Sequence, residues 1–506
     1  MTTKKIATST FWQLGSQAVT MVLGILSIKF VTTALSQSLV GNYQTVYAYL
    51  QIFGILADFG LYAVAVRELS RAPNRIALLG SLFVLRACIT AVSLGTAIII
   101  AFVIPSFSGT PLPLGIVIAS FVPFFTLLGG MLRTLFQVEY KMQYVFISEV
   151  ISKAIPVCLL GSVVILGHRL SESLTIYYSA LAFGGLGSLC FFLLLMRFTR
   201  GLPTVCTGLL GVCQTLYQGF SWDEFKRLLK LSAPFGLAFF MTTIYRQSDV
   251  TLIAVLRPDY DIQNAYYGTV LRLAEIGFLL PTFILNSALP IMSKRQQAGE
   301  DMSHFLGTIL LGLLTLGSVV SLFAFVWAKP IVLLVTRDAY LSTASSPGSD
   351  TALQLLSFSM FLSMIVAFCF YILLNRGSWR ALLIVTSGAA ILSVTFNMVL
   401  IPLFGFVGAG MTSIFVHLYL ALALCVATVT RVHVDLRFAQ VCQWFAYSLT
   451  IGLTLFATLP YLTNSVVTLF AGVVGVGISA LLLFIFRLIP SGIFAGAVFN
   501  SETHNP

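Results

Sequence analysis

Residues 231–256 read LSAPFGLAFFMTTIYRQSDVTLIAVL, an apolar stretch that carries Arg246 and Asp249 three residues apart. About 20 predominantly apolar residues form a helix long enough to cross a bilayer core, and this run exceeds that length. On a water-facing helix an Arg and an Asp at this spacing contribute little. In a membrane-length helix both are costly, and such residues face a bundle interior, a wet cavity or one another.

Comparable runs recur outward in both directions. Fourteen spans are predicted, at roughly 11–34, 43–66, 79–104, 113–136, 145–167, 173–196, 231–256, 266–290, 304–328, 351–374, 380–401, 407–430, 440–459 and 465–487. A short apolar run, Ile331–Val335, extends the ninth span or re-enters the membrane. The 506 residues are 58% hydrophobic and 9% charged, against about 25% charged in soluble domains. The fold class expected is therefore all-α and polytopic. A membrane β-barrel would show short alternating segments instead. Lys4 and Lys5 precede a first run, Phe11–Ala34, that is too long for a signal-peptide core.

The net charge of +11 follows from membrane topology and needs no nucleic-acid partner. With the N-terminus placed inside, most loop Lys and Arg fall on the cytoplasmic side. Only Arg169, Arg257, Lys329 and Arg337 fall opposite. This is the positive-inside bias, and it puts both termini in the cytoplasm.

The long polar segment after the sixth span divides the chain. The expected organisation is an N-terminal lobe at 1–200 and a cytoplasmic connector at 201–230 with an interfacial helix. A second six-span lobe at 231–430 follows, then two further spans and a tail at 431–506. Within the connector, Ser221 followed by Glu224 has capping-box spacing and predicts a helix start. Six spans followed by six suggests a parallel internal repeat.

No enzyme signature stands out. There is no Gly-Lys-Ser/Thr phosphate loop, and Gly475 and Gly477 lie in an apolar run rather than at a strand-to-helix turn. The five histidines lack HExxH spacing, and the eight cysteines form no CxxC pair and read as packing residues. Neither a metal nor an organic cofactor is expected.

The chemistry therefore rests on charges at membrane depth. Lys29, Arg86, Lys153, Arg246 and Arg272 lie within spans, with Asp58, Glu149, Asp249 and Glu275 as acidic companions. By helical rise, Arg246 and Asp249 lie about 15 and 10 Å from the outer end of their span, and Arg272 and Glu275 about 9 and 13 Å from the same side. Arg246, Arg272, Lys29 and Lys153 are the candidates for contacting an anionic substrate or lining its pathway. Asp249, Glu275 and Asp58 are the candidates for gating or ion coupling. The purely structural alternative is that Arg246 satisfies Asp249 or Glu275, while Arg86 and Glu149 reach toward the interface from helix ends. Pro123, Pro156, Pro234, Pro281 and Pro402 lie in or beside spans and favour bends.

Several motifs carry a resemblance. These are Asp58-Phe59-Gly60-Leu61 followed by Arg67, Tyr245 to Asp249, and Tyr266-Tyr267 with Leu273, Glu275, Pro281 and Leu289-Pro290. Leu353-Gln354-Leu355-Leu356 is a fourth, and Asn397 through Ile401-Pro402-Leu403-Phe404-Gly405 to Val407-Gly408-Ala409-Gly410 a fifth. Together, over nearly the whole chain, they resemble the polysaccharide and O-antigen flippases (Wzx-like oligosaccharide exporters) of the multidrug/oligosaccharidyl-lipid/polysaccharide exporter superfamily. The resemblance implies a MATE-like, V-shaped pair of six-helix lobes with two extra C-terminal helices in a bacterial inner membrane. It implies export of an undecaprenyl-pyrophosphate-linked oligosaccharide, for lipopolysaccharide or exopolysaccharide, coupled to a proton or sodium gradient. Implied partners are the lipid-linked oligosaccharide, membrane lipids and polysaccharide polymerase or assembly proteins. Arg forks suit pyrophosphate oxygens. The alternatives are a lipid II or other lipid-linked glycan flippase, a MATE-type drug or ion antiporter, and a non-transporting scaffold for polysaccharide assembly. The interior basic residues argue against a cationic drug as cargo.

Overall fold

The computed structural model describes residues 3–71, 75–138, 141–166, 173–197, 220–486 and 488. Of the expected connector at 201–230, residues 201–219 lie outside them and residues 222–230 are helical. The helices are α1 (Thr3–Ala34), α2 (Gln37–Asp58), α3 (Leu61–Arg71), α4 (Arg75–Val103), α5 (Leu112–Ala119), α6 (Phe121–Val138), α7 (Met142–Leu166), α8 (Leu174–Arg197) and α9 (Trp222–Leu256). They continue as α10 (Tyr260–Gln297), α11 (Ser303–Val326), α12 (Ala328–Val335), α13 (Ser349–Asn375), α14 (Trp379–Phe404), α15 (Phe406–Val429), α16 (Phe438–Thr458) and α17 (Ser465–Ile485). Among the described residues there is no strand.

Twelve of the fourteen predicted spans each coincide with one helix, while the spans at 43–66 and 113–136 are each two helices, α2 with α3 and α5 with α6. Among the described residues, twelve segments are both long and apolar enough to cross a membrane. The two spans missing from that set, α2 and α9, are long but more polar, and they build most of the site described below. Ile331–Val335 belongs to α12, a separate short helix that follows a break at Trp327.

The predicted span at 43–66 needs correction, because it is two helices. α2 stops where Phe59 and Gly60 both take positive φ, 46° and 68°. Glycine adopts this conformation freely, but for a Phe it is strained by about 1–3 kcal/mol. Three contacts hold it. Phe59 N–H bonds the Ile55 carbonyl. The Arg86 guanidinium takes the Asp58 carbonyl at 2.9 Å. The Phe59 ring sits where a Cβ on Gly236 of α9 would fall, 2.8 Å from ring atom Cδ2. α3 is tied to the start of α9 by Glu68–Arg227 at 2.7 Å. Arg227, with Arg67 beside it, holds the Glu68 carboxyl below its ordinary range.

Ser221 does begin α9, but its hydroxyl makes no capping bond. Its N–H instead donates to Ser81 Oγ at 3.0 Å, and Glu224 pairs with Arg227 at 2.9 Å. At the other end of α1, Arg337 donates to the carbonyls of Thr32 and Leu35, each at 2.8 Å. These are last-turn acceptors that the helix itself leaves open, and a cation there also complements the helix dipole.

The chain forms two compact units. One takes residues up to Thr269 with Val335–Arg337 and Ala390–Ala409, and the other takes the remainder. The first is built on a core that includes Leu61, Leu82, Leu132, Phe136 and Phe192, with the last two rings stacked at 5.5 Å. The second has a core of α11 against α16, where Trp327 Nε1 donates to the Leu455 carbonyl at 2.9 Å.

Pro156 shows how a local defect is accommodated in the first unit. Proline has no N–H for the carbonyl four residues back, Ser152 O. Gly184 of α8 lies against that spot, and a Cβ there would fall 2.3 Å from Ser152 O and 2.6 Å from Pro156 Cγ. Gly184→Ala is therefore expected to destabilise the protein by about 1–3 kcal/mol, as overpacking does. A lowered midpoint in detergent thermal unfolding would show this, and an unchanged midpoint would refute the close seat.

Candidate functional site

A cavity of about 410 Å³ opens within the first unit, walled by α2, the α5–α6 span, α7 and α8. Its apolar walls include Leu50, Val122, Pro123 and Leu181, and its polar groups come from Tyr43, Tyr47, Gln51, Asp58, Ser152 and Lys153. Tyr43 stacks nearly parallel on Tyr178, 5.8 Å between centroids. Lys153 is exposed. The structure thus brings two of the sequence candidates, Lys153 and Asp58, onto one wall surface.

Asp58 is also engaged from behind. Arg86 Nη2 meets its carboxylate at 2.6 Å. The same guanidinium reaches the Asp58 and Leu127 carbonyls. Arg86 is 3% exposed, so it does not reach for the interface as the alternative reading expected. A last-turn carbonyl and a carboxylate at the end of α2 offer a buried guanidinium a better environment than lipid headgroups can. Glu149 likewise turns inward, to Arg133 at 2.5 Å and to the hydroxyl of Ser16. The charge of Asp58 is matched by Arg86, and Lys153 places an exposed ammonium group on the same wall.

The second feature of this unit is the Asp249 carboxylate, 3% exposed on α9. Tyr267 Oη of α10 donates to one oxygen at 2.8 Å. Asn397 Nδ2 of α14 donates to the other at 2.7 Å. Among the described residues both donors are neutral, so Arg246 does not satisfy Asp249. The spacing that suggested such a pair puts the two side chains in different surroundings, with Asp249 buried and Arg246 half-buried. Asn397 is fully buried, and its Oδ1 has no partner among the described residues. A carboxylate and a free amide oxygen are thereby placed together in the interior of an apolar bundle.

Lys29 is half-buried on α1 in the first unit, and Arg272 and Glu275 are half-buried on α10 in the second. Tyr267 and Asn397 were quoted above only as parts of motifs. A polar residue in each of two further spans was the available signal, but sequence does not say that both point at Asp249. The cavity tyrosines were missed altogether, because aromatic residues in a membrane span carry no mark of their role.

Replacing Arg86 with Met would leave the Asp58 carboxylate unpaired and two carbonyls short of a donor. A loss of about 3 kcal/mol or more is expected, read as reduced thermal stability in detergent. Adding Asp58→Asn should recover part of it, and an Arg86→Met protein as stable as the parent would refute the pairing.

Comparison with known proteins agrees with the geometry. Residues 6–296 match the model of a family described as polysaccharide biosynthesis protein. This covers more than half of the chain, and the chain belongs to that family. No curated protein sequence matches it. Among solved structures, the lipid II flippase MurJ in an inward closed conformation is similar over 95% of this chain and 98% of its own, at TM-score 0.67 and 13% identity. An inward-facing MATE multidrug resistance transporter of the MOP superfamily is similar over 81% and 93%, at TM-score 0.58 and 13% identity. A eukaryotic MATE transporter, AtDTX14, is similar over 84% and 95%, at TM-score 0.53 and 13% identity. The chain is accordingly a multi-pass membrane protein with the fold shared by these transporters.

Proposed function

We propose that this protein is a flippase that moves an undecaprenyl-pyrophosphate-linked oligosaccharide from the inner to the outer leaflet of a bacterial inner membrane. The observation that carries the reading is the cavity. The half-buried ring of Tyr47, an amide, hydroxyls and one exposed lysine line a recess within an apolar helix bundle. Aromatic faces pack on the apolar faces of sugar rings while amide and hydroxyl groups bond their edges. Lys153 carries a point charge of the kind that suits an anionic oxygen of the cargo. Arg246 and Arg272, at membrane depth on consecutive long helices, are the forked partners for pyrophosphate. The polyprenyl tail would remain in lipid, so only the headgroup needs a wet path. No bond is made or broken. Both termini are cytoplasmic in this reading, by the loop-charge bias.

Transport against a gradient needs coupling, and Asp249 is the group we assign to it. The open Oδ1 of Asn397 beside that carboxylate offers the all-oxygen donor set that hard cations take. This favours Na⁺, with protonation of the carboxylate as the other route to the same neutral state. Asp58, held by Arg86, is better suited to fixing the end of α2 than to titrating.

Arg246→Ala and Arg272→Ala are each expected to abolish surface glycan while protein levels in the membrane stay normal. Lys153→Ala should reduce export several-fold. Normal glycan with both arginine variants would sink the substrate-site assignment. Proteoliposomes loaded with lipid-linked oligosaccharide should flip it faster under an inward Na⁺ gradient, and Asp249→Asn should erase that acceleration. Equal acceleration in the variant would remove Asp249 from the coupling role, and a response to a proton gradient alone would select the protonation route. Lipid II in place of the oligosaccharide lipid discriminates the nearest rival cargo.

A further inference from the structure

The sequence reads the cysteines as packing residues, and two of them pack on each other. Cys369 of α13 and Cys425 of α15 both belong to the second unit, and their Sγ atoms are 3.6 Å apart. The contact follows from the register of the two helices, which meet at three levels. A Cβ on Gly410 of α15 would fall 2.8 Å from Leu355 Cδ1 of α13. Ser413 Oγ donates to Ser359 Oγ at 2.9 Å, and the thiols form the third level. The residue numbers rise together, so the helices run in the same direction there. Leu355 and Cys369 are 14 residues apart, and Gly410 and Cys425 are 15 apart. Each separation is about four helical turns, so both helices return the same face to the seam at the cysteines.

The two sulfurs differ in access. Cys369 is 2% exposed, as are its neighbours Phe368 and Ile372 on α13, whereas Cys425 is half-buried. By helical rise they lie about 9 Å and 6 Å from Asn375 and Val429, the last residues of their helices. Arg376 and Arg431 follow those ends, which face the cytoplasm in the orientation proposed above. Only that placement rests on the flippase reading. Cys88, Cys158 and Cys442 are exposed, yet among the described residues no second thiol lies against any of them.

We propose that Cys369 and Cys425 are an oxidation site for small neutral hydroperoxides, at which the two thiols close into a reversible disulfide between α13 and α15. Cys425, the more open thiol, attacks the O–O bond. Its sulfur takes one oxygen and becomes a sulfenic acid, and the rest of the hydroperoxide leaves as an alcohol, or as water from hydrogen peroxide. The Cys369 sulfur then attacks the sulfenic sulfur. The S–S bond forms as the sulfenic hydroxyl leaves as water with the Cys369 proton. The sulfurs approach by only about 1.5 Å to reach a disulfide bond length near 2.05 Å. The oxidant is neutral because the pair lies within apolar helices of membrane length, where an ion is costly. A cysteine with no thiol beside it stops at the sulfenic acid or passes on to the irreversible acids. The pairing is therefore what makes this oxidation reversible.

The test uses the full-length protein with all its cysteines, in membrane vesicles treated with tert-butyl hydroperoxide. Free thiols are then blocked with N-ethylmaleimide and the peptides mapped by mass spectrometry without reduction. A peptide pair joining Cys369 to Cys425 within one chain should appear, about tenfold or more above any other disulfide, and dithiothreitol should remove it. Cys369→Ser should abolish the cross-link and leave Cys425 as a sulfenic acid that dimedone traps. Cys425→Ser should leave Cys369 unoxidised at the same dose. A parent protein in which both thiols stay maleimide-reactive while Cys88, Cys158 and Cys442 are oxidised overturns the proposal, and this arm needs no variant. A disulfide joining Cys425 to a second copy of the chain also overturns it. So does a Cys369→Ser protein with a monodisperse gel-filtration profile whose Cys425 takes up no dimedone. Neither cargo nor ion gradient enters the assay, so its failure and the failure of the flippase reading are separate results.

Discussion

A hydrocarbon interior supplies no water to an unpaired polar atom, and in this chain that constraint bears hardest on Asp249. Its carboxylate is buried in an apolar bundle and is answered by a phenol and an amide from two other helices. Each donor must be brought to a few tenths of an ångström, which fixes α9, α10 and α14 relative to one another at that depth. The contact of α2 with the start of α10 extends the same logic, with Ser38, Asn42, Gln44 and Thr45 meeting Asp261, Tyr260, Thr269 and Asn264. Four polar side chains in one span are tolerable because four partners stand opposite them, and the glycines at Gly41 and Gly268 let the backbones come close enough.

The strained turn at Phe59 follows from a related requirement. A helix that ends inside or near the membrane exposes carbonyls, and those carbonyls need donors. Arg86 supplies them for α2, and in doing so places Asp58 on the cavity wall with its charge already matched. Arg86, one of the basic residues the sequence places inside spans, is committed to Asp58, and Arg133 is likewise committed to Glu149.

The two spans that are least apolar, α2 and α9, hold much of what distinguishes the chain from a passive bundle. Composition made them look like the weakest membrane helices. Their polar residues are matched by contacts with other elements, so their stability depends on packing more than on lipid. This explains why a hydropathy reading finds their length but undervalues them.

Much of the fold was legible in the linear chain. Apolar runs of bilayer length specify helices because backbone groups in lipid must bond within their own segment, and twelve of the fourteen predicted spans each met one helix. Charged residues inside those runs identified Asp249, Asp58 and Lys153 for the same reason, since their cost is written into the sequence. What the sequence could not supply was pairing. Helical spacing put Arg246 beside Asp249, yet a rotation of three residues sends the two side chains to different surroundings. Tyr267, Asn397 and Asn264 become partners only when helices distant in the chain come into register, and the break at Phe59 exists because Arg86, Gly236 and α3 hold it there. The sequence by itself determined which segments cross the membrane, because that depends on solvation of each segment alone. Only the tertiary structure decided which polar atoms meet, because a side-chain hydrogen bond depends on the position and rotation of two helices at once.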